Sequence, residues 1–201
     1  VGDCYLMSSL AVVAFRDPNV IKSMFVDNGN GTWGVRFIAK SGKATWTTVD
    51  NELATFASVS WANGSKLEYA NGSVGWVELA EKAYAQYNNE GNLPRTAANS
   101  YAAIAGGWGD PITQITGKAV SYYAAGSKAI VDAWNAGQEI MLATSSTVAG
   151  NLDGNHMYEV IGYDTSNGNV HLHNPWNTAV NNPAVIVTEG IHDRFVAAVG
   201  E

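Results

Sequence analysis

The chain holds a single cysteine, Cys4, and four histidines, His156, His171, His173 and His192. A thiol becomes a nucleophile when a base takes its proton and a third group holds that base in place. After Asp3 the sequence is almost wholly apolar until Arg16-Asp17-Pro18. A run that long, closed by proline, predicts a helix buried on most sides. Asp3 suits the N-cap, which puts Cys4 in the first turn. There the open N–H groups and the helix dipole favour thiolate over thiol. Cys4 is thus a candidate nucleophile, although a small buried hydrophobe, the usual role of a free cysteine, fits the same residues.

Four imidazoles compete for the role of base. His156 opens an apolar stretch just after the loop Gly150-Asn151-Leu152-Asp153-Gly154-Asn155, a rim position from which a ring can face a cleft. His171 and His173 alternate along one strand face and could share a metal, but no third ligand stands near in sequence, so they read as solvated strand histidines. His192, beside Asp193 and Arg194, reads as a surface residue. Next to His173 lies Asn174-Pro175-Trp176. An asparagine oxygen there could accept from an imidazole N–H without adding a full charge, and the indole would shield that bond from water.

The elements that must position these residues follow an α+β pattern. Residues 19–31 read as a turn-rich linker. Trp33–Ile38 and Thr45–Val49 flank Lys40-Ser41-Gly42-Lys43 as a β-hairpin. Residues 57–75 read as loop. Trp76, Leu79, Ala80, Ala83, Tyr84 and Tyr87 form the apolar stripe of a helix, with Glu78 and Lys82 paired at i,i+4 on its other side. Ala105-Gly106-Gly107-Trp108-Gly109-Asp110 is a glycine-rich loop without the context of a phosphate cradle. Ser127–Ala136 reads as a helix capped by Ser127 and ended by Gly137. Strands are expected at 140–144, 156–163, 170–173, 184–188 and 195–199, in an antiparallel sheet. The chain then divides into a mainly helical lobe of about 1–137, with the hairpin, and a β-sheet lobe of about 138–201, with the active site in the cleft between them.

The whole chain of 201 residues is long enough for a substantial core, and its 46% hydrophobic and 14% charged content marks it as globular. A net charge of −7 without a Lys/Arg cluster makes nucleic acid and anionic membranes poor partners. No apolar run reaches the roughly 20 residues of a membrane span. One cysteine excludes an internal disulfide and a cysteine-based zinc site, and leaves the compartment open. Asn30-Gly31-Thr32, Asn63-Gly64-Ser65 and Asn71-Gly72-Ser73 match the N-glycosylation pattern, but Asn-Gly is first a turn pair. Opening on Val1, the chain reads as a fragment or processed form, with flanking domains in the full-length protein.

Five motifs in order resemble the calpain-type cysteine proteases. Gly2-Asp3-Cys4-Tyr5-Leu6 is similar to their Gly-Asp-Cys-Trp-Leu, and Glu81-Lys82-Ala83-Tyr84-Ala85 to their Glu-Lys-Ala-Tyr-Ala helix. Gly106-Gly107 with Ile115-Thr116-Gly117 resembles their Gly-Gly and Thr-Gly elements. His156-Met157-Tyr158-Glu159-Val160 resembles His-Ala-Tyr-Ser-Val, and Asn174-Pro175-Trp176 resembles Asn-Pro-Trp-Gly. The resemblance implies a papain-like fold and limited proteolysis of protein or peptide substrates by a cysteine endopeptidase. It implies Cys4 as nucleophile, His156 as general base and acid, and Asn174 as orienting residue, working through a thioester acyl-enzyme. The Cys4 N–H would be one oxyanion donor, Trp176 would screen the His156–Asn174 bond, and Gly106 and Gly107 would let substrate backbone run close.

Departures are Tyr5 for Trp, Met157 for Ala and Asn177 for Gly, and the family's oxyanion glutamine would precede Val1. No cofactor is expected. Calcium, which animal relatives bind, is disfavoured: Glu81 matches one ligand position but reads as a solvated helix residue, and the acidic loop is shortened to Thr178–Pro183. The alternatives are another papain-fold thiol enzyme, either a papain-type peptidase or a transglutaminase, and a catalytically silent binding module rich in Trp and Tyr.

Overall fold

A computed structural model describes residues 2–52, 75–124, 127–148 and 152–175, with two further strands at 185–187 and 194–198. The loop expected over 57–75 lies outside the described residues except for Gly75, which opens a helix instead, and the Asn63 and Asn71 patterns, Trp176, Asn177, the 178–183 loop and His192 also lie outside them. Helices and antiparallel sheets make the chain α+β. It forms two compact units: one of Val1–Asp3 and Ile21–Gly107, the other of Cys4–Val20 and Trp108–Glu201.

The smaller unit is a three-stranded antiparallel sheet covered by a helix. Its strands are β1 (Phe25–Asp27), β2 (Thr32–Ile38) and β3 (Ala44–Asp50), in sequence order. Alternation puts Val35 and Phe37 of β2, with Thr47 and Val49 of β3, on the buried face. The turn between them closes with Gly42 at φ 78°, where glycine carries no Cβ penalty. The helix Gly75–Asn89 packs on that face, and Phe37 meets Tyr87 at 4.9 Å and Tyr84 edge-on at 5.6 Å between ring centroids. Its stripe of Ala80, Ala83, Tyr84 and Tyr87 is buried as the 3.6-residue period predicts.

Two details of that helix correct the sequence reading. Lys82 Nζ pairs with Asp50 Oδ1, not with Glu78, and also donates to the Glu52 carbonyl, because the end of β3 lies alongside. Glu81 is fully buried at 0% exposure rather than solvated. The supposed linker 19–31 instead holds β1, preceded by a short helix Pro18–Lys22.

The second unit is built on a six-stranded antiparallel sheet. Its helices, in chain order with the two above, are α1 (Cys4–Arg16), α2 (Pro18–Lys22, shared at the boundary), α3 (Gly75–Asn89, in the smaller unit), α4 (Asp110–Thr116) and α5 (Ser127–Asn135). Its strands are β4 (Val120–Ala124), β5 (Ile140–Ala143), β6 (Met157–Tyr163), β7 (Val170–His173), β8 (Val185–Val187) and β9 (Arg194–Ala198), ordered β4-β9-β5-β6-β7-β8. Neither α4 nor β4 was expected from sequence, although Pro111 near the start of α4 and Gly117 at its C-cap (φ 78°) are the usual punctuation of a helix.

Both faces of this sheet are covered. Ile140, Leu142, Tyr158, Val160 and Leu172 pack with Ile130 and Ala133 of α5. The intervening residues point the other way, toward α1: Ser9 Oγ lies 3.2 Å from the Met141 sulfur, and Ser8 Oγ donates to the Met157 carbonyl at 2.9 Å. A strand buried on both sides need not alternate, which is why β5 is continuously apolar. Tyr5, Leu6, Leu10, Val12 and Val13 of α1 are all buried, as an apolar run without a polar face requires.

Candidate active site

Cys4 is the first residue of α1 and is half-buried. Side chains four apart on a helix share one face, so Cys4 lies one turn from Ser8 toward the helix N-terminus. Ser8 is bonded to the first residue of β6, Met157, which His156 directly precedes. The thiol-bearing end of α1 is therefore carried to the His156 end of β6. Cys4 is also close enough that its charge acts on the Tyr158 phenol, two residues into the same segment.

His156 is buried, at 4% exposure, between two fixed pieces of backbone. The Thr144 hydroxyl accepts from His156 N–H at 3.0 Å and donates to the Asp153 carbonyl at 2.6 Å, while Thr144 N–H donates to His156 O at 2.9 Å. Just before it, Asn155 has φ 52°, alone among the described non-glycine residues in being positive. A Cβ on Gly154 would stand 2.7 Å from Ser146 O, so only glycine lets the loop pass that close.

Antiparallel pairing of β6 with β7 sets Glu159 opposite His173, so Asn174 arrives beside His156. His156 Nε2 and Asn174 Oδ1 are 2.8 Å apart. Burial lowers the His156 pKa from its ordinary value, while the Asn174 hydrogen bond and the nearby Asp153 charge push it back up. The balance favours a neutral imidazole at neutral pH, as a general base requires.

Gly106 has φ 69°, its N–H donates to Gly2 O at 2.7 Å, and its carbonyl accepts from Arg95. A Cβ there would meet nothing within 4 Å, so the backbone angle, not crowding, favours this glycine. Gly107 follows it in the same loop. His173 is not the solvated strand histidine its position suggested: Nδ1 pairs with Glu159 Oε1, a carboxylate only 1% exposed beneath α1. Burial raises the Glu159 pKa, and the hydrogen bond to Glu159 raises that of His173. His171 is half-buried, and it and His173 meet no third ligand: among the described residues no three His, Cys, Asp or Glu side chains converge to hold a metal. Glu81, the one position matched to a calcium ligand, is buried in α3.

Sequence reasoning missed three contributors: Thr144, Tyr158 and Asp153. Asp153 Oδ2 accepts from Asn174 Nδ2 at 3.2 Å, and its position in the loop before His156 was the one available signal. No helix among the described residues is long and apolar enough to cross a membrane. Compared with known protein families, residues 1–184 match the model of the calpain family cysteine proteases. No curated protein matches the chain.

Proposed function

The chain belongs to the calpain family of cysteine proteases, and from that premise we propose that it is a cysteine endopeptidase working through Cys4, His156 and Asn174. His156 Nδ1 takes the proton from Cys4 Sγ, and the thiolate attacks a peptide carbonyl. The tetrahedral oxyanion is met by the Cys4 backbone N–H at the start of α1, where the helix dipole also favours negative charge. His156 then protonates the leaving amine, a thioester forms on Cys4, and water activated by the same imidazole hydrolyses it. Asn174 keeps the ring in register. By the family resemblance, Gly106, Gly107 and Trp176 contribute to substrate binding. The substrates are proteins or peptides cut at limited, accessible sites, and no step runs through a metal.

The observation that carries this reading is the 2.8 Å contact between His156 Nε2 and Asn174 Oδ1. It leaves Nδ1 as the basic nitrogen, in a segment to which α1 delivers a cysteine.

Alkylation by iodoacetamide and hydrolysis of a quenched-fluorescent protein substrate, followed on one preparation, test it. Cys4 should alkylate well below the roughly pH 8.5 midpoint of a free thiol, and hydrolysis should disappear in step with the free thiol and in Cys4→Ala. A thiol of ordinary reactivity with no hydrolysis would favour a silent binding module. Hydrolysis surviving in Cys4→Ala would remove the cysteine from the mechanism.

A further inference from the structure

Asp153 lies at the centre of the hydrogen bonds behind the imidazole. Its Oδ2 accepts from Asn174 Nδ2 at 3.2 Å and from the Tyr158 hydroxyl at 3.1 Å, and its own N–H donates to that hydroxyl at 2.7 Å. Tyr158 is buried, and its ring meets the His156 ring edge-on at 4.9 Å. Burial above all pushes the phenol pKa up to about 12, so the hydroxyl stays protonated and able to donate to the carboxylate. The Asp153 backbone is pinned by the Thr144 hydroxyl on its carbonyl, and the two residues after it are held by the Gly154 contact and the Asn155 turn. The carboxylate is thus held in one place by the Tyr158 hydroxyl and its own pinned backbone.

An asparagine amide presents two ends of nearly equal size, one accepting and one donating. A carboxylate only accepts, so the amide must turn its NH2 toward Asp153 and its oxygen toward His156. That oxygen only accepts, so His156 Nε2 must carry the proton and Nδ1 must be the basic nitrogen. With the amide reversed, its NH2 would face Nε2, the ring proton would move to Nδ1, and that nitrogen could no longer receive a proton from a thiol.

We propose that Asp153 is a positioning residue: through the amide of Asn174 it selects the Nε2-protonated tautomer of His156. Asp153, Asn174 and His156 form a relay of orientation in which no proton leaves Asp153 or Asn174. The catalytic consequence rests on the Cys4–His156–Asn174 reading, but the choice of tautomer can be read without any turnover.

The test separates the two. Full-length chain labelled with ¹⁵N at histidine reports the tautomer of each ring directly, and the same chain reports the alkylation rate of Cys4 against pH. Asp153→Asn preserves shape but can offer either end of its amide; Asp153→Ala removes the acceptor. The wild type should show His156 protonated on Nε2. Asp153→Asn should mix the tautomers, and Asp153→Ala should mix them further. Alkylation near neutral pH should fall on the order of tenfold, the scale of losing one charge-assisted hydrogen bond, and hydrolysis should fall through kcat more than KM. The titratable groups around the ring are Asp153, Tyr158 and Cys4, and only the first changes. If Asp153→Ala fails to fold, Asp153→Asn still decides. An unchanged His156 tautomer in the folded variants would overturn the proposal. An unreactive wild-type thiol with a shifted tautomer would overturn the protease reading and leave the positioning role standing.

Discussion

His173 and Glu159 face each other on neighbouring strands under α1, and each shifts the other. The Glu159 carboxyl lies above its ordinary 4.5 because it is buried, and His173 lies above its ordinary 6.5 because it bonds to Glu159. In both cases the folded protein holds a proton that the unfolded chain releases at lower pH. The stability from His173 is therefore complete below about 6.5 and is lost as pH rises through its raised value. His156 has the opposite sign, since its folded pKa is lowered, but it cancels when wild type is compared with a variant at His173. The difference in unfolding midpoint between wild type and His173→Gln should be larger at pH 6 than at pH 9. A difference that grows with pH would contradict the pairing. Such a pair is hard to read from sequence: alternation placed His171 and His173 on one strand face, but not that a helix from the far end of the chain covers it. Residue type and motif order single out Cys4, His156 and Asn174 in the sequence, and the last two meet at 2.8 Å. Asp153 was not legible there, since nothing in a Gly/Asn-rich loop says whether its one carboxylate turns inward or to solvent.

The contact between α1 and β6 joins two elements almost the whole chain apart, and Ser8 fixes their register. Its hydroxyl donates to Met157 O at 2.9 Å, and its nearness to the buried Glu159 carboxyl slightly favours the charged form there. Removing it in Ser8→Ala leaves the Met157 carbonyl short of a donor, at a cost of roughly 1–3 kcal/mol in unfolding free energy. If this register also sets Cys4 against His156, alkylation of Cys4 should slow near neutral pH in the folded variant. Denaturant unfolding with alkylation on the same sample checks both, and an unchanged free energy would show that the bond is not made in solution. At this scale the sequence read best where periodicity is strong. The β2–β3 hairpin, α1, α3, α5 and strands β5 to β7 fall within a residue or two of their expected places. β1 and β4 were missed because they are short strands beside turn residues, with exposed side chains at Val26, Tyr122 and Tyr123. β4 has β9 as its partner, far along the chain, so pairing rather than local pattern makes it a strand.

The path of the chain through its two units bears on how it can be divided. It leaves the smaller unit after Asp3, returns at Ile21 and leaves again after Gly107, so neither unit is a continuous segment. The larger unit depends on this interleaving, because α1 covers the sheet face carrying Met141, Glu159 and His173. A fragment of residues 108–201 keeps every strand of the six-stranded sheet and keeps α5 on one face, but it bares the other. Tyr5, Leu6, Leu10, Val12 and Val13 are each almost fully buried, and losing such side chains forfeits on the order of 1.5–3 kcal/mol apiece for the large aliphatic ones. That total exceeds much of the 5–15 kcal/mol that holds an ordinary domain together. It would also leave the Met157 carbonyl without its Ser8 donor. The 108–201 fragment should therefore show no cooperative thermal transition and should bind a dye specific for exposed apolar surface. Fusing residues 4–20 to its N-terminus through a long Gly/Ser linker should restore dispersed amide resonances relative to the bare fragment. A cooperative melt of residues 108–201 alone would show that the sheet is stable without α1, and that the burial of this helix serves to place Cys4 rather than to hold the fold.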